Sequence, residues 1–341
     1  MKRQAHLVGS VGLADSRAVF ETASDILGDS CPRLPDGETG ARGYWIRWQQ
    51  GTFDRSPDLE KELVNLKLPG FKDAVERPYY KVKTGVLPDS IDLGDLGYSA
   101  EALASYAVFK GLVAEGRIRA GTRFQVSIPS PMALVCGFVM PAAQLDLEPA
   151  VESGILRDVR RIQDSIPAGD LSIQYDVCYE IVGADGGPPL PYSNAVEGSI
   201  QRVARLCDAV DEAVELGIHL CYGDPGHQHI VEPKDLGTSV AFANGISASS
   251  KRHIDYAHMA VPRERSDDPY FQPLEGLKLP STTKLILGLV HHTDGVEGGR
   301  KRMQAADRYV TDYDIATECG FGRRDPDTIP DLLRIHRELC E

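Results

Sequence analysis

Two kinds of hydrophobic pattern alternate along the chain: short apolar runs, and longer stretches whose apolar positions fall at i, i+3, i+4 and i+7. The short runs read as strands: AHLVGSVG (5–12), CPRLPDGE (31–38), TRFQVSIPSP (122–131), LSIQYDVCYE (171–180), GIHLCYGD (217–224), HIDYAHMAV (253–261), TKLILGLVHH (283–292) and DYDIATECGFG (312–322). Between them DSRAVFETASDIL, EALASYAVFKGLVAEG, EPAVESGILRDVRRIQDSI, EGSIQRVARLCDAVDEAVELG, EGGRKRMQAADRYV and TIPDLLRIHREL carry the helical period. Eight strands alternating with helices favour a closed (β/α)8 TIM barrel over an open sheet, an α/β fold in which residues 1–341 form one domain. YYKVKTGVLP (79–88), between the second and third barrel strands, reads as part of an inserted hairpin. The Pro/Gly-rich segments 183–193 and 261–276 read as long loops on the face where barrel enzymes build their sites.

Composition narrows the function classes. Hydrophobic content of 42% and charged content of 26% are enough for a core that needs no disulfide or metal to hold it. A formal net charge of −13 repels a phosphate backbone and an anionic membrane surface, so the expected ligands are small molecules, with no nucleic-acid or membrane partner. There is no signal-peptide pattern and no run of about 18 apolar residues, which leads us to expect a cytoplasmic protein. The seven cysteines are odd in number and scattered through apolar segments, so reduced thiols are expected.

Unusual polar residues cluster at the C-terminal ends of the strands: Ser10, Glu38, Ser127, Gln174, Asp176, His219, Cys221, His258, His291, His292, Glu318 and Cys319. Barrel enzymes draw their catalytic groups from these positions. His219 and Cys221 are two apart on a strand, so both face the same side and could share one ion. Cys319 would add a third donor from the last strand, and His258 a fourth. Other readings stay open: Cys319 as a small buried residue in the turn ECGFG, and His227 and His229 as solvated loop histidines. ARGYWIRWQ (41–49) reads either as a clamp for a planar anionic substrate, with Arg42, Trp45 and Arg47, or as a lid helix on the barrel rim. Arg323 and Arg324 could bind a carboxylate or simply begin the last loop.

HLCYGD (219–224) resembles the His-x-Cys strand of the cobalamin-independent methionine synthases, and IATECGFGRR (315–324) resembles their final Cys-Gly strand. Gly9-Ser10, Gly37-Glu38, SIPSP (127–131) and IQYDVCYE (173–180) keep the same family order, over a length that covers only its catalytic barrel. The resemblance implies Zn2+ held by His219, Cys221 and Cys319, a substrate amino group held by Glu38 and Asp176, and a carboxylate met by Gly9 and Ser10. The sequence departs from the family at HIDYAHM (253–259), which offers His258, or less favourably Asp255, in place of a glutamate ligand. It departs again at GLVHHTDG (288–295), where His291 or His292 would handle the proton, with Asp176 the other catalytic candidate.

The expected activity is zinc-dependent methyl or alkyl transfer to a thiol activated as its zinc-bound thiolate, with a small-molecule thiol and an alkyl donor as partners. Two alternatives are carried with it. The first is a decarboxylase or other C–C lyase like the uroporphyrinogen decarboxylases, which share the barrel without the zinc ligands; Arg42, Arg47 and Asp176 would then do the work. The second is a non-enzymatic zinc- or ligand-binding barrel. Assembly into a homo-oligomer is left open.

Overall fold

The computed structural model describes residues 2–67, 72–225 and 228–341. In chain order its strands are β1 (Ala5–His6), β2 (Arg33–Pro35), β3 (Leu59–Leu66), β4 (Val75–Val82), β5 (Arg123–Pro129), β6 (Leu171–Val177), β7 (Glu215–Leu220), β8 (Tyr256–Ala260), β9 (Lys284–Val290) and β10 (Tyr313–Thr317). All except β3 and β4 join one parallel sheet in the order β1-β10-β9-β8-β7-β6-β5-β2. Its two ends meet through a parallel bridge between Ser10 and Gly37, where Val11 N–H donates to the Gly37 carbonyl at 2.9 Å. The sheet therefore closes into the eight-stranded barrel that the alternation of patterns implied. Among the described residues no helix is long and apolar enough to cross a membrane.

The strands read as nearly continuous apolar runs because helices cover their outer faces. Polar residues interrupt them where side chains meet inside the barrel: Gln125 donates to the Leu7 and Val8 carbonyls, and Gln174 to Val8, across the interior. The covering helices include Ser16–Leu27, Tyr98–Ala114, Gln144–Ser165, Ala195–Cys207, Gly295–Ala306 and Ile329–Cys340. The helical reading of 197–217 was too long, for the helix stops at Cys207 and β7 begins at Glu215. Gly237–Ser249 is a helix that the periodicity did not mark, because its small and apolar residues leave no charged face to define a stripe.

Between β2 and β5 the chain inserts an antiparallel hairpin, β3 with β4, in register from Leu59↔Val82 to Leu66↔Val75. The sequence marked only its second strand, at 79–88, whereas β4 spans Val75–Val82. In β3 only Leu59 is buried, so no alternation exposes that strand to a pattern search. Tyr80 anchors the hairpin: its carbonyl accepts from Met140 N–H and its hydroxyl donates to Asp54, both at 2.9 Å.

Two features of the ladder position the site. Pro129, Asp176, His219 and His258 are successive in-register partners across β5, β6, β7 and β8, so they form one row near the C-terminal ends of the strands. On the far side, β9 and β10 shift register: Ile315 pairs with Leu287 but Thr317 with Val290, a bulge that places one extra residue on β9. Within the bulge, a Cβ on Gly288 would lie 2.7 Å from Glu318 Cα and 3.1 Å from the Thr317 carbonyl oxygen. Backbone there cannot move aside as a side chain can, so Gly288→Ala is expected to destabilise the fold by about 1–3 kcal/mol, the usual cost of overpacking. Urea denaturation of the variant beside the parent protein measures the loss, and an unchanged midpoint would show that the bulge has slack.

Candidate metal centre and acid pair

His219 sits near the end of β7 and Cys221 just beyond it, separated by one residue as the strand reading required. Cys319 arrives from the turn after β10, and its Sγ lies 3.6 Å from that of Cys221. One donor atom from each of the three residues falls within 4.8 Å of the others. The chain thus brings together two positions a hundred residues apart. His219 and Cys221 are buried, and Cys319 is half-buried.

The donors suit a soft cation. His219 Nε2 is buried without a hydrogen-bond partner, while its Nδ1 lies 2.6 Å from Nδ1 of His258. Burial, reinforced by His258, holds His219 well below the usual histidine range, so the ring is the neutral form that metals take. The Cys221 thiol is pushed well above its ordinary value, first by its hydrogen bond with Cys178 and then by burial; Cys319 is raised by its contact with Cys221 and by burial. Two protonated thiols and an orphaned imidazole nitrogen at this spacing form an N/S/S set that zinc satisfies on displacing the thiol protons.

His258, expected as the fourth donor, is placed differently. Its Nδ1 faces His219 and its Nε2 lies 3.0 Å from the Thr317 carbonyl oxygen, so neither nitrogen joins the cluster. Asp255, the less favoured substitute, is engaged outside the cluster, accepting from Leu216 N–H at 2.8 Å and pairing with Arg252 at 3.0 Å.

Next to His219 in the row, Asp176 forms the second half of the site with Glu38. Burial raises the pKa of Asp176, and burial together with the Asp176 charge raises that of Glu38. Gln174, two residues earlier and on the same face, donates to Asp176 Oδ1 at 2.9 Å, and the Trp45 indole also bonds to that carboxyl. Glu38 (φ 48°) and Trp45 (φ 54°) are two of the three non-glycine residues with left-handed backbone among the described residues. Such conformations are costly and gather where a site demands them. Gly37 (φ 81°) makes the turn into Glu38, and a Cβ there would meet Val19 at 2.6 Å. Gly9 faces both groups of the pocket floor: a Cβ on it would lie 3.1 Å from Ser127 Oγ and 3.7 Å from Glu38 Oε1. Ser10 is turned toward the last loop, its Oγ accepting from Gly322 N–H at 3.3 Å.

Segment 41–49 forms two short 3-10 turns at the barrel mouth, not a lid helix. Trp45 stacks on Tyr179 with centroids 6.4 Å apart, and Arg42 is held by Asp36 at 2.7 Å and Glu101 at 3.3 Å. Arg323 pairs with Asp224 at 3.0 Å.

Glu318 is a residue whose role the sequence did not disclose. Its Oε2 meets His229 Nε2 at 3.0 Å, and its Oε1 lies 3.6 Å from His291 Nδ1. His291 is buried, with Nε2 against the Val261 carbonyl oxygen at 2.9 Å, whereas His292 is half-exposed in the following turn. His229, expected to be solvated, is instead clamped between Glu318 and Glu232, its side chain 10% exposed. Only the shared loop would have hinted at that, since Glu318 lies 89 residues away. His227 lies outside the described residues.

The fold has known counterparts, although no family model matches the sequence. A B12-independent methionine synthase from Shewanella sp. W3-18-1, in complex with selenomethionine, superposes with a TM-score of 0.60 at 13% identity, covering 100% of this chain and 97% of that one. A protein of Listeria monocytogenes, described as a vitamin-B12-independent methionine synthase, gives 0.59 at 13% identity over 98% and 95% of the two chains. A methyltransferase from Methanosarcina mazei gives 0.54 at 8% identity over 99% and 94%. These likenesses establish a shared barrel over the whole length.

The His229 clamp makes a pH prediction. Burial pulls the imidazole pKa down, but the hydrogen bonds and charges of Glu318 and Glu232 outweigh it and push it up to about 9. A histidine whose pKa is raised on folding stabilises the fold fully below the unfolded value, roughly 6.5, and loses that contribution as pH rises through the folded one. The stability of metal-stripped protein, compared with a His229→Gln variant by urea denaturation, is expected to converge between pH 6.5 and 9. A gap that stays constant across that window would show that His229 is not protonated in the clamp.

Proposed function

We propose that the protein is a zinc-dependent methyl- or alkyltransferase whose acceptor is the thiol of an amino acid. The observation that carries this reading is the His219, Cys221 and Cys319 set, with its buried, unpartnered imidazole nitrogen, beside the buried Asp176 and half-buried Glu38 carboxyls. His219, Cys221 and Cys319 would hold the ion, and zinc bound there would stabilise a substrate thiol as its thiolate at neutral pH.

The chain's own groups do the rest. Asp176, oriented by Gln174 and Trp45, and Glu38 would receive the substrate ammonium group. Their raised pKa values mean that the pair holds protons more readily than free carboxyls do, and binding the ammonium favours proton release. Gly9, which lies against Ser127 and Glu38, would face the substrate carboxylate, while the Ser10 hydroxyl is engaged by Gly322 N–H. As the sulfur–carbon bond forms and the bond from that carbon to the donor breaks, the departing group leaves with the electron pair. His291, with Nδ1 toward Glu318, would hold or return the proton needed there. Trp45 and Tyr179, stacked at the mouth, would exclude water. The fold relatives support the reading, two being described as B12-independent methionine synthases and one as a methyltransferase. A lyase that depends on Arg42 is less well served, because Asp36 and Glu101 already engage that guanidinium.

Metal analysis tests the centre. About one zinc per chain is expected, lost in folded Cys221→Ala and Cys319→Ala variants; a parent protein that neither contains zinc nor takes it up ends this reading. Turnover tests the acid pair. Asp176→Asn and Glu38→Gln are expected to raise KM for an amino-acid thiol by roughly 10- to 100-fold, the worth of a hydrogen bond to a charged group. A thiol without the amino group should be nearly unaffected, and equal losses for both thiols would remove the ammonium assignment.

A further inference from the structure

We infer that His258 is a positioning residue for the metal centre: it fixes His219 in the tautomer whose Nε2 lone pair is open to Cys221 and Cys319. The inference rests on the reading of those three residues as a metal centre and goes beyond it, because it assigns a task to the residue that stands where the resembling family has a glutamate ligand.

Thr317, His258 and His219 form a three-member chain of contacts that begins at a carbonyl. A carbonyl oxygen can only accept, so the 3.0 Å contact between Thr317 O and His258 Nε2 requires the hydrogen to be on Nε2. The Thr317 carbonyl is available for this contact because the β9/β10 bulge breaks the ladder next to it. With its hydrogen on Nε2, a neutral His258 presents a bare Nδ1. The 2.6 Å separation between Nδ1 of His258 and Nδ1 of His219 needs one hydrogen between two nitrogens, so that hydrogen belongs to His219. His219 is then protonated at Nδ1 and bare at Nε2, the atom that is buried without a partner beside the two thiols. Had the hydrogens run the other way, a buried N–H would point into the cluster with no acceptor. The in-register pairing of His219 with His258 on β7 and β8 holds the two rings at this distance. A carbonyl behind a histidine behind a metal-binding histidine orients the ligand and makes its nitrogen a better donor, as outer-shell partners do elsewhere.

Two measurements on the full chain test this. Long-range proton–nitrogen NMR of the metal-stripped protein reads histidine tautomers directly, and is expected to show His219 with its hydrogen on Nδ1 and His258 with its hydrogen on Nε2. Zinc affinity, from competition with a chromophoric chelator, is expected to fall roughly 10- to 100-fold in His258→Phe. It should recover in His258→Asn, whose amide oxygen can take the place of Nδ1 as acceptor; far-UV circular dichroism confirms that both variants are folded. A parent His219 with its hydrogen on Nε2, a His258→Phe variant that binds zinc as tightly as the parent, or a His258→Asn variant as weak as the Phe variant would each overturn the inference. The last result would point to direct ligation by His258. A parent protein that binds no zinc would instead bring down the metal reading beneath it.

Discussion

The register of one parallel ladder governs this molecule. Asp176, His219 and His258 lie side by side because β6, β7 and β8 pair without a slip between them. A shift of one residue would turn each of these side chains to the opposite face of the sheet. With Asp176 the row holds one end of the acid pair, with His219 the first proposed metal donor, and with His258 the ring hydrogen-bonded to it. Gln174 repeats the principle one step down the strand, on the same face as Asp176 and bonded to it. Distances within the site are thus properties of the sheet, the most rigid part of the fold, while loops supply Glu38, Cys319 and the aromatic mouth.

Burial then decides protonation. Isolated ions in the interior are too costly to persist, so groups there neutralise or pair. Asp176 and Glu38 are driven toward the protonated acid, the two thiols retain their hydrogens, and His219 and His258 remain neutral. Burial thus lowers the charge of the pocket: the acids and thiols can meet a cation by giving up a proton, and the neutral imidazoles by offering a lone pair. Farther out, Glu318 is held in its charged form between histidines, its pKa lowered by His229 and His291 against the pull of burial. An uncharged floor with a charged rim favours positively charged groups at depth without collapsing onto itself when empty.

Much of this was legible in the sequence, and the remainder was hidden for physical reasons. The eight barrel strands announce themselves because both faces are buried, and His219, Cys221 and Cys319 could be paired by strand spacing and family resemblance. His258 was recognisable as a polar residue at a strand end, but sequence records a residue type and not which ring nitrogen points where. Its carbonyl partner belongs to Thr317, a backbone atom invisible to any reading of side chains. His229 looked like a loop histidine because its two carboxylate partners are contributed by different parts of the chain. The first strand of the hairpin escaped notice because only one of its eight side chains is buried.

Thr317, Glu318 and Cys319 are consecutive, yet they give the site a carbonyl, a carboxylate and a thiol, each directed at a different partner. All three are delivered by one strand crossing over a glycine that leaves no room for error. That strand pairs with both β1 and β9, so it joins the first strand of the chain to the rest of the sheet. A chain that has folded every other strand but not this one has two of the three proposed donors, and His258 lacks the carbonyl that engages its Nε2. The complete proposed donor set therefore exists only once the last strand is in place, which ties the centre to completion of the barrel.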